Sequence, residues 1–245
     1  MHAMVEGNVG TIVEVNSETD FVAKNADFQA FVSRIAKIIL DSNPKDVESL
    51  LTLKFNDQFS VQEELREKIL TIGENINIRR FERYEGHVVS YVHSGGRIGV
   101  LVLFNADEAS AKNPEFMEVG KDIAMQVAAL NPLYLNKEAV PAQVIDNERE
   151  ILMAQIKNDP KMASKPDNII AKMVDGRIGK YYENNCLVDQ AFVKDGSITA
   201  SQYVAQKAKE FGGKLEIARF VRYEKGEGIQ KKEENLADEI AKIIK

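Results

Sequence analysis

The spacing of apolar residues along the chain alternates between a period of two and a helical period, which predicts a mixture of short strands and amphipathic helices. β-branched residues recur from Val9 to Val15 and predict a strand. Apolar residues then follow helical spacing from Asn25 to Leu40 and from Val61 to Ile72, and Gly73 is placed to end the second helix. Further helical patterns cover residues 115–130, 201–211 and 233–244.

Two more strands, His87 to Tyr91 and Ile98 to Phe104, are joined by a glycine-rich segment and predict a β-hairpin. Between residues 144 and 182 the pattern differs, because two helical segments carry only a narrow apolar stripe among charged residues. A short connector containing Pro160 and Pro166 separates these segments. This arrangement predicts an antiparallel helical hairpin that projects from the molecule as a coiled coil.

An internal repeat links the two halves of the chain. Residues 78–85 read Ile-Arg-Arg-Phe-Glu-Arg-Tyr-Glu, and residues 217–224 read Ile-Ala-Arg-Phe-Val-Arg-Tyr-Glu. Each copy follows a predicted helix and a glycine, so a structural unit occurs twice. The sequence therefore predicts an α+β fold with two similar α+β subdomains, each with a small antiparallel sheet, plus the inserted coiled-coil helical hairpin.

The predicted boundaries divide the chain into four parts. These are an N-terminal α+β subdomain over residues 5–105, a C-terminal α+β subdomain over residues 106–143 and 183–232, the hairpin over residues 144–182, and a final helix over residues 233–245. Residues 1–4 have no basic or apolar segment of a secretion signal. We interpret them as a cloning remnant and expect the natural chain to begin further upstream.

Composition narrows the classes of function. The chain has 245 residues, of which 44% are hydrophobic and 29% charged, as in ordinary folded proteins. A net charge of -6 argues against binding to the phosphate backbone of a nucleic acid. The single cysteine, Cys186, excludes an internal disulfide and favours a reducing, cytoplasmic setting. No apolar run approaches the ~20 residues that span a bilayer, so we expect no membrane contact.

Signatures of catalysis and of bound groups are weak. Cys186 is isolated in sequence from His87 and His93, and two histidines without a third ligand do not indicate a metal site. The turn from Ser94 to Arg97 lacks the Lys-Ser or Lys-Thr pair of a phosphate-binding loop. We therefore expect no catalytic residue, no cofactor and no metal.

The stretch between the first strand and the first helix places a carboxylate, Asp20, beside a large apolar ring, Phe21. One interpretation assigns Phe21 to the core, because it lies seven residues before Phe28 of the helical stripe, while Asp20 caps the helix. The other interpretation is that this strand-to-helix corner presents both side chains to a partner. Residue spacing by itself favours the core.

The segment from Thr19 to Asn25 reads Thr-Asp-Phe-Val-Ala-Lys-Asn and closely resembles the signature of the bacterial elongation factor Ts family. Further words of that family recur in order over nearly the whole chain. They lie at residues 72–80, 96–102, 122–132, 192–195 and 220–229. Because these words are long and uncommon, the resemblance favours the partner-binding interpretation of the corner.

The resemblance implies a guanine-nucleotide exchange factor for elongation factor Tu, the GTPase that delivers aminoacyl-tRNA during translation elongation. A protein of this family is not itself an enzyme and does not bind the nucleotide directly. It forms a heterodimer, or a dimer of heterodimers, with elongation factor Tu. The exchange factor promotes GDP release by disturbing the Mg²⁺ site of its partner.

The same resemblance implies which residues make contact. Thr19, Asp20, Phe21 and Val22 would enter the GTPase domain and displace Mg²⁺ from its site. Further contacts would come from Ile72 and Gly73, and from Gln126, which stands where many family members carry His. The family also begins with a small ubiquitin-associated-like helical module, which this sequence lacks.

Two alternatives to an exchange factor remain open from the residues themselves. The projecting hairpin suits a coiled-coil adaptor or scaffold protein without exchange activity. An enzyme is the third possibility, although no Ser/His/Asp or Cys/His arrangement supports it. Release of GDP from elongation factor Tu, measured with and without the protein, separates the three.

Overall fold

The computed structural model describes residues 1–162 and 165–229, and these residues form two units of similar build. The first unit contains strands β1 (His2–Glu6), β2 (Val9–Asn16) and β3 (Asn77–Glu85), with helices α1 (Asp20–Lys24), α2 (Ala26–Ser42), α3 (Val47–Thr52) and α4 (Val61–Ile72) between β2 and β3.

The second unit repeats this order with an insertion. It contains strands β4 (His87–His93), β5 (Ile98–Ala106) and β8 (Leu215–Glu224), and between β5 and β8 it carries α5 (Glu108–Ala111), α6 (Phe116–Leu130), α7 (Ala142–Asn158), α8 (Asp167–Asn185), β6 (Ala191–Phe192), β7 (Asp195–Thr199) and α9 (Ala200–Phe211). The predicted final helix, residues 233–245, lies outside the described residues.

Most of the predicted elements are confirmed, and so is the α+β class with small antiparallel sheets. The predicted strand becomes β2, the predicted hairpin becomes β4 and β5, and the long helical patterns become α2, α4, α6 and α9. Gly73 ends α4 with a φ of 80°, a left-handed conformation that favours glycine. The short elements β1, α1, α3 and α5 were not predicted, because too few residues carry each pattern.

Each unit has a three-stranded antiparallel sheet, in the orders β1-β2-β3 and β4-β5-β8. The two sheets share the same register: Gly10 of β2 lies opposite Tyr84, and Gly99 of β5 lies opposite Tyr223. Both central strands also carry an irregularity in the corresponding place, after Glu14 and after Leu103. The repeated sequence is therefore the visible part of a repeat that includes all three strands.

The sheets pack face to face through residues of the repeat. The guanidinium of Arg80 lies 4.1 Å from the ring centroid of Tyr223, and the guanidinium of Arg219 lies 4.8 Å from that of Tyr84. These two cation–π contacts are reciprocal, because each unit supplies one arginine and one tyrosine. The arginines of the repeat therefore do not face solvent alone, since they cover the tyrosine rings of the other sheet.

Helices cover the outer face of each sheet, so helices, sheet, sheet and helices form four layers. In the first unit, the apolar stripe of α2 packs on β1 and β2 around the fully buried Ile35 and Ile39. In the second unit, α6 and α9 pack on β4, β5 and β8 around Ile123 and Val204. Both long helices end at a left-handed asparagine before proline, Asn43 and Asn131.

The predicted boundary between residues 105 and 106 needs correction. It assigns the hairpin β4–β5 to the first subdomain, yet β5 pairs with β8 of the second along its length, from Ile98 opposite Glu224 to Ala106 opposite Leu215. The units therefore meet at Gly86, between β3 and β4. The error arose because only the last strand of each unit keeps a recognisable sequence.

Two other segments bear on the domain predictions. Residues 2–6, partly interpreted as a cloning remnant, form β1 and pair with β2, with His2 opposite Val13. Helices α7 and α8 pack against each other through a small apolar cluster of their own. Its buried members are Leu152, Ile156, Ile170, Val174 and Ile178.

Candidate functional site

The corner between β2 and α2 is a separate helix of one turn, α1. Thr19 precedes it in an extended conformation and caps it, because its Oγ1 accepts a hydrogen bond from the Val22 amide at 3.4 Å. Val22 turns inward and packs against the core of the first unit. The corner is thus anchored on its inner side and free on its outer side.

Phe21 lies on the outer side, with 81% of its surface exposed. The interpretation of Phe21 as a core residue is therefore wrong. The exposed ring is therefore accessible to another molecule. Asp20 does not cap α2 either: that role belongs to Asn25, whose Oδ1 accepts from the amides of Asp27 at 2.8 Å and Phe28 at 3.2 Å.

Asp20 keeps a negative charge beside the exposed ring. Its Oδ2 accepts a hydrogen bond from Lys24 Nζ at 2.8 Å, one turn along the same helix. This bond and the charge of Lys24 lower the pKa of the Asp20 carboxyl. Because both side chains are largely exposed, the pair is weakly held and can be exchanged for a contact with a partner.

Glu74, which the sequence did not single out, holds the corner from the segment that follows α4. Its Oε2 accepts hydrogen bonds from the amides of Glu18 at 3.1 Å and Thr19 at 3.0 Å, and Oε1 accepts from the Thr19 hydroxyl. Donation from Thr19 lowers the pKa of the Glu74 carboxyl. The left-handed turn at Gly73 brings Glu74 to this position directly after α4.

The other predicted contacts in the first unit differ in accessibility. Gly73 is exposed, and a Cβ on it would meet no atom within 4 Å, so its surface is open to a partner. Ile72 is only partly exposed and packs against the core. Leu70, which the sequence did not single out, is 75% exposed on α4 and adds an apolar side chain to this end of the molecule. The sequence could have indicated this exposure, because Leu70 lies outside the apolar stripe formed by Leu65, Ile69 and Ile72.

Gln126 is not a surface residue. Its side chain is fully buried in α6, and its contact with a partner stays a prediction. Its Nε2 donates to the Ala191 carbonyl at 3.0 Å, and its Oε1 accepts from the Val193 amide at 2.7 Å. Gln126 therefore positions the segment after β6, where the Val193 side chain is exposed.

The corner of the second unit shows which features of the first belong to the scaffold. It also begins with a cap, Asp107, followed by a short helix, α5. The position equivalent to Phe21, counted from the cap, is Ala109. The scaffold therefore does not need an aromatic ring at this corner.

The described residues give no support for a reactive cysteine, a metal site or a membrane-spanning helix. Burial raises the pKa of the Cys186 thiol to about 11, so the thiol is protonated at neutral pH. Within residues 1–162 and 165–229, no three His, Cys, Asp or Glu side chains lie together as metal ligands. Among the helices of those residues, none has the length and apolar character needed to cross a bilayer.

Comparison with known proteins agrees with the resemblance of the sequence. The sequence model of the family described as Elongation factor TS matches residues 18–227. A protein named Elongation factor Ts from Clostridium perfringens is 48% identical over 237 residues, which cover 96% of this chain and 76% of that protein. Elongation factor Ts from Clostridium kluyveri is 48% identical, and the match covers 98% of this chain and 78% of that protein. Elongation factor Ts from Clostridium acetobutylicum is 46% identical, and the match covers 97% of this chain and 76% of that protein.

Proposed function

This chain belongs to the elongation factor Ts family, and we propose that it acts on elongation factor Tu through the corner that carries Phe21. Its function is guanine-nucleotide exchange on that GTPase during translation elongation. The observation that carries the proposal for the site is the exposed ring of Phe21 on a corner whose counterpart in the second unit has Ala109. A coiled-coil adaptor without exchange activity is not favoured by the family match.

In the proposed mechanism, Phe21 enters an apolar gap in the GTPase domain, and Thr19 and Val22 give the corner its shape. Asp20 brings a carboxylate close to the helices that hold the Mg²⁺ of the partner. Displacement of Mg²⁺ removes the positive charge that balances the GDP β-phosphate. GDP then dissociates faster, with no covalent step by this chain and no direct contact between this chain and the nucleotide.

Additional contacts are proposed on both units. Gly73 and the adjoining Ile72, together with the exposed Leu70, lie on the same end of α4 as the Glu74 that holds the corner. In the second unit we propose that Gln126 acts indirectly. It accepts a hydrogen bond from the Val193 amide and so positions the exposed Val193 side chain for the partner. The surface bound by elongation factor Tu would then include both units, in a heterodimer or a dimer of heterodimers.

Helices α7 and α8 are proposed to form the inserted antiparallel coiled-coil hairpin. Three observations support this assignment: the two helices share their own apolar cluster, α7 and α8 lie in the chain between α6 and α9, and Arg149 on α7 pairs with Asp175 on α8 at 2.7 Å. Exposed apolar residues on them, Ile151 among others, are available to a partner.

Replacement of Phe21 by Ala tests the proposed site. A buried aromatic anchor typically contributes ~2 kcal/mol or more at an interface, and ~1.4 kcal/mol is a factor of ten. We expect Phe21→Ala to reduce stimulated GDP release more than tenfold and to leave the unfolding temperature unchanged. Stopped-flow release of fluorescent GDP from elongation factor Tu measures the first quantity, and thermal unfolding measures the second.

Ala109→Phe is the matched control, because it adds an exposed ring to the equivalent corner of the second unit. We expect it to leave GDP release unchanged and not to restore the activity of Phe21→Ala. Normal exchange by Phe21→Ala would refute the proposed site while leaving the exchange function in place. Absence of any stimulation by the unaltered protein would refute the function itself.

A further inference from the structure

We infer that Glu74 is a positioning residue for nucleotide exchange, which fixes the Phe21 corner in the orientation that the partner binds. The inference rests on the proposed function and names a residue that acts through Thr19 rather than by contact with the partner. It follows from three observations: the contacts of Glu74, the lack of packing around Phe21, and the arrangement at the second corner.

The contacts of Glu74 connect two distant parts of the chain. Its carboxylate accepts from two backbone amides and one hydroxyl, all of them in Glu18 and Thr19, 55 or 56 positions earlier. Two of these three donors belong to the residue that caps α1. Glu74 therefore determines where the helix begins, and the first turn of that helix carries Asp20 and Phe21.

Phe21 depends on such a support because its own side chain is largely free of packing. The direction of its ring is set by the backbone of α1, a helix of five residues. Helices this short are not stable by themselves, so tertiary contacts must hold them. Val22 supplies one anchor inside the core, and Glu74 supplies the second outside it.

The second corner is also held by a carboxylate, but there the carboxylate belongs to the corner and the donor to the supporting segment. There the acid is the cap itself: Asp107 Oδ2 accepts from the Lys214 amide at 2.9 Å, in the segment after α9. The position equivalent to Glu74 is Gly213, where a Cβ would lie 2.3 Å from Asp107 Oδ1. In the first unit the carboxylate belongs to the supporting segment instead, and the cap of the corner is the uncharged Thr19.

Double-mutant analysis of Glu74 and Phe21 tests this inference. Loss of preorganisation at one ordered side chain weakens binding by about threefold to tenfold. We expect Glu74→Ala to slow stimulated GDP release by about that factor in the unaltered protein, and to have little further effect in Phe21→Ala. Hydrogen exchange at the amides of Glu18 and Thr19 should also become faster in Glu74→Ala, because both lose their acceptor.

Glu67→Ala is the matched control, since Glu67 is an exposed glutamate earlier on α4. It should change neither GDP release nor exchange at Thr19. Glu74→Gln keeps the shape of the side chain and should retain part of the activity; it serves as the test variant if Glu74→Ala does not fold.

The possible outcomes separate this inference from the proposed function. If Phe21→Ala slows release but the Glu74 variants slow it by the same factor with and without Phe21, Glu74 acts independently and the inference is wrong. Normal release by both Glu74 variants would also overturn it. Neither result affects the role of Phe21, whereas the absence of stimulation by the unaltered protein would remove the proposed function.

Discussion

In the first unit the corner after the central strand carries Phe21, and in the second unit the equivalent position carries Ala109. Both corners begin with a capping side chain, both lead into a short helix, and both are joined by a carboxylate to the segment that precedes the last strand. The scaffold is therefore complete with either residue. Because the same build exists with alanine, folding of the corner does not require the aromatic ring.

The interiors differ at an equivalent position as well. In the first sheet the buried Glu14 lies opposite Arg80, and in the second Leu103 lies opposite Arg219. Glu14 accepts from Arg80 Nε at 2.6 Å and from Arg79 Nη1 at 3.1 Å. Arg79 also donates to the Glu227 carbonyl, so this ion cluster joins the first sheet to the chain that follows the second.

Glu14→Leu makes the first sheet resemble the second and is the change with the largest expected effect. Removing one partner of a buried ion pair typically lowers stability by 3–5 kcal/mol. We expect a loss of about 3 kcal/mol, at the low end, because both arginines retain some access to water. Urea unfolding measures the change in the free energy of unfolding.

Glu67→Leu, at an exposed site on α4, controls for the change of residue type. An unchanged unfolding midpoint in Glu14→Leu would show that the ion cluster is dispensable, and that the two sheets are interchangeable in their interiors.

Gly10 and Gly99 test whether the two sheets approach each other equally closely. A Cβ at Gly10 would lie 2.4 Å from Val88 Cγ1, and a Cβ at Gly99 would lie 2.6 Å from Ile12 Cδ1. Overpacking typically lowers stability by ~1–3 kcal/mol. We expect Gly10→Ala and Gly99→Ala each to lower the free energy of unfolding by about 2 kcal/mol, measured in urea.

Gly196→Ala is the control for this pair, because no atom lies within 4 Å of its added Cβ. A large loss at one glycine and none at the other would show that the packing between the sheets is not symmetric.

Asp107 gives the smallest effect and one that depends on pH. The amides of Ser110 and Lys214 donate to it and lower the pKa of its carboxyl. A lowered folded-state pKa contributes stability above the ordinary pKa of Asp, about 4, and this contribution is lost as the pH falls. Asp107→Asn should therefore be less stable than the unaltered protein at neutral pH, and the difference should shrink in acid.

Thermal unfolding across this pH range measures the effect, with Asp57→Asn at an exposed loop site as the control. We expect GDP release to remain normal in Asp107→Asn, since the second corner carries no ring. A difference in stability that grows in acid would contradict the assigned role of the carboxylate.

Sequence patterns were sufficient for the long elements and insufficient for the corner. The spacing between Phe21 and Phe28 suggested one continuous apolar stripe, but Asn25 is extended, with a ψ of 134°, and separates α1 from α2. The helical phase is broken there, so the ring points outward. A period of seven residues predicts a shared face only within an uninterrupted helix.

The remaining features depend on tertiary contacts between distant residues. Glu74 and Thr19 are 55 positions apart, and no local pattern indicates that they meet. Gln126 was judged from a family position, whereas its burial follows from contacts with Gln190, Ala191 and Val193, more than 60 positions later in the chain. The extent of the repeat was underestimated for a similar reason. The two sheets have the same strand register, although most of their residues differ.

The position of β8 has a consequence for how the chain is made. The first sheet can close once residue 85 has been synthesised, but β5 obtains its second neighbour only when residues 215–224 emerge. At ordinary rates of translation this delay is on the order of ten seconds. During it β5 presents an open edge to other nascent chains. The first sheet packs on a face of the second and does not pair with this edge, so a chaperone that covers the edge would protect it from aggregation.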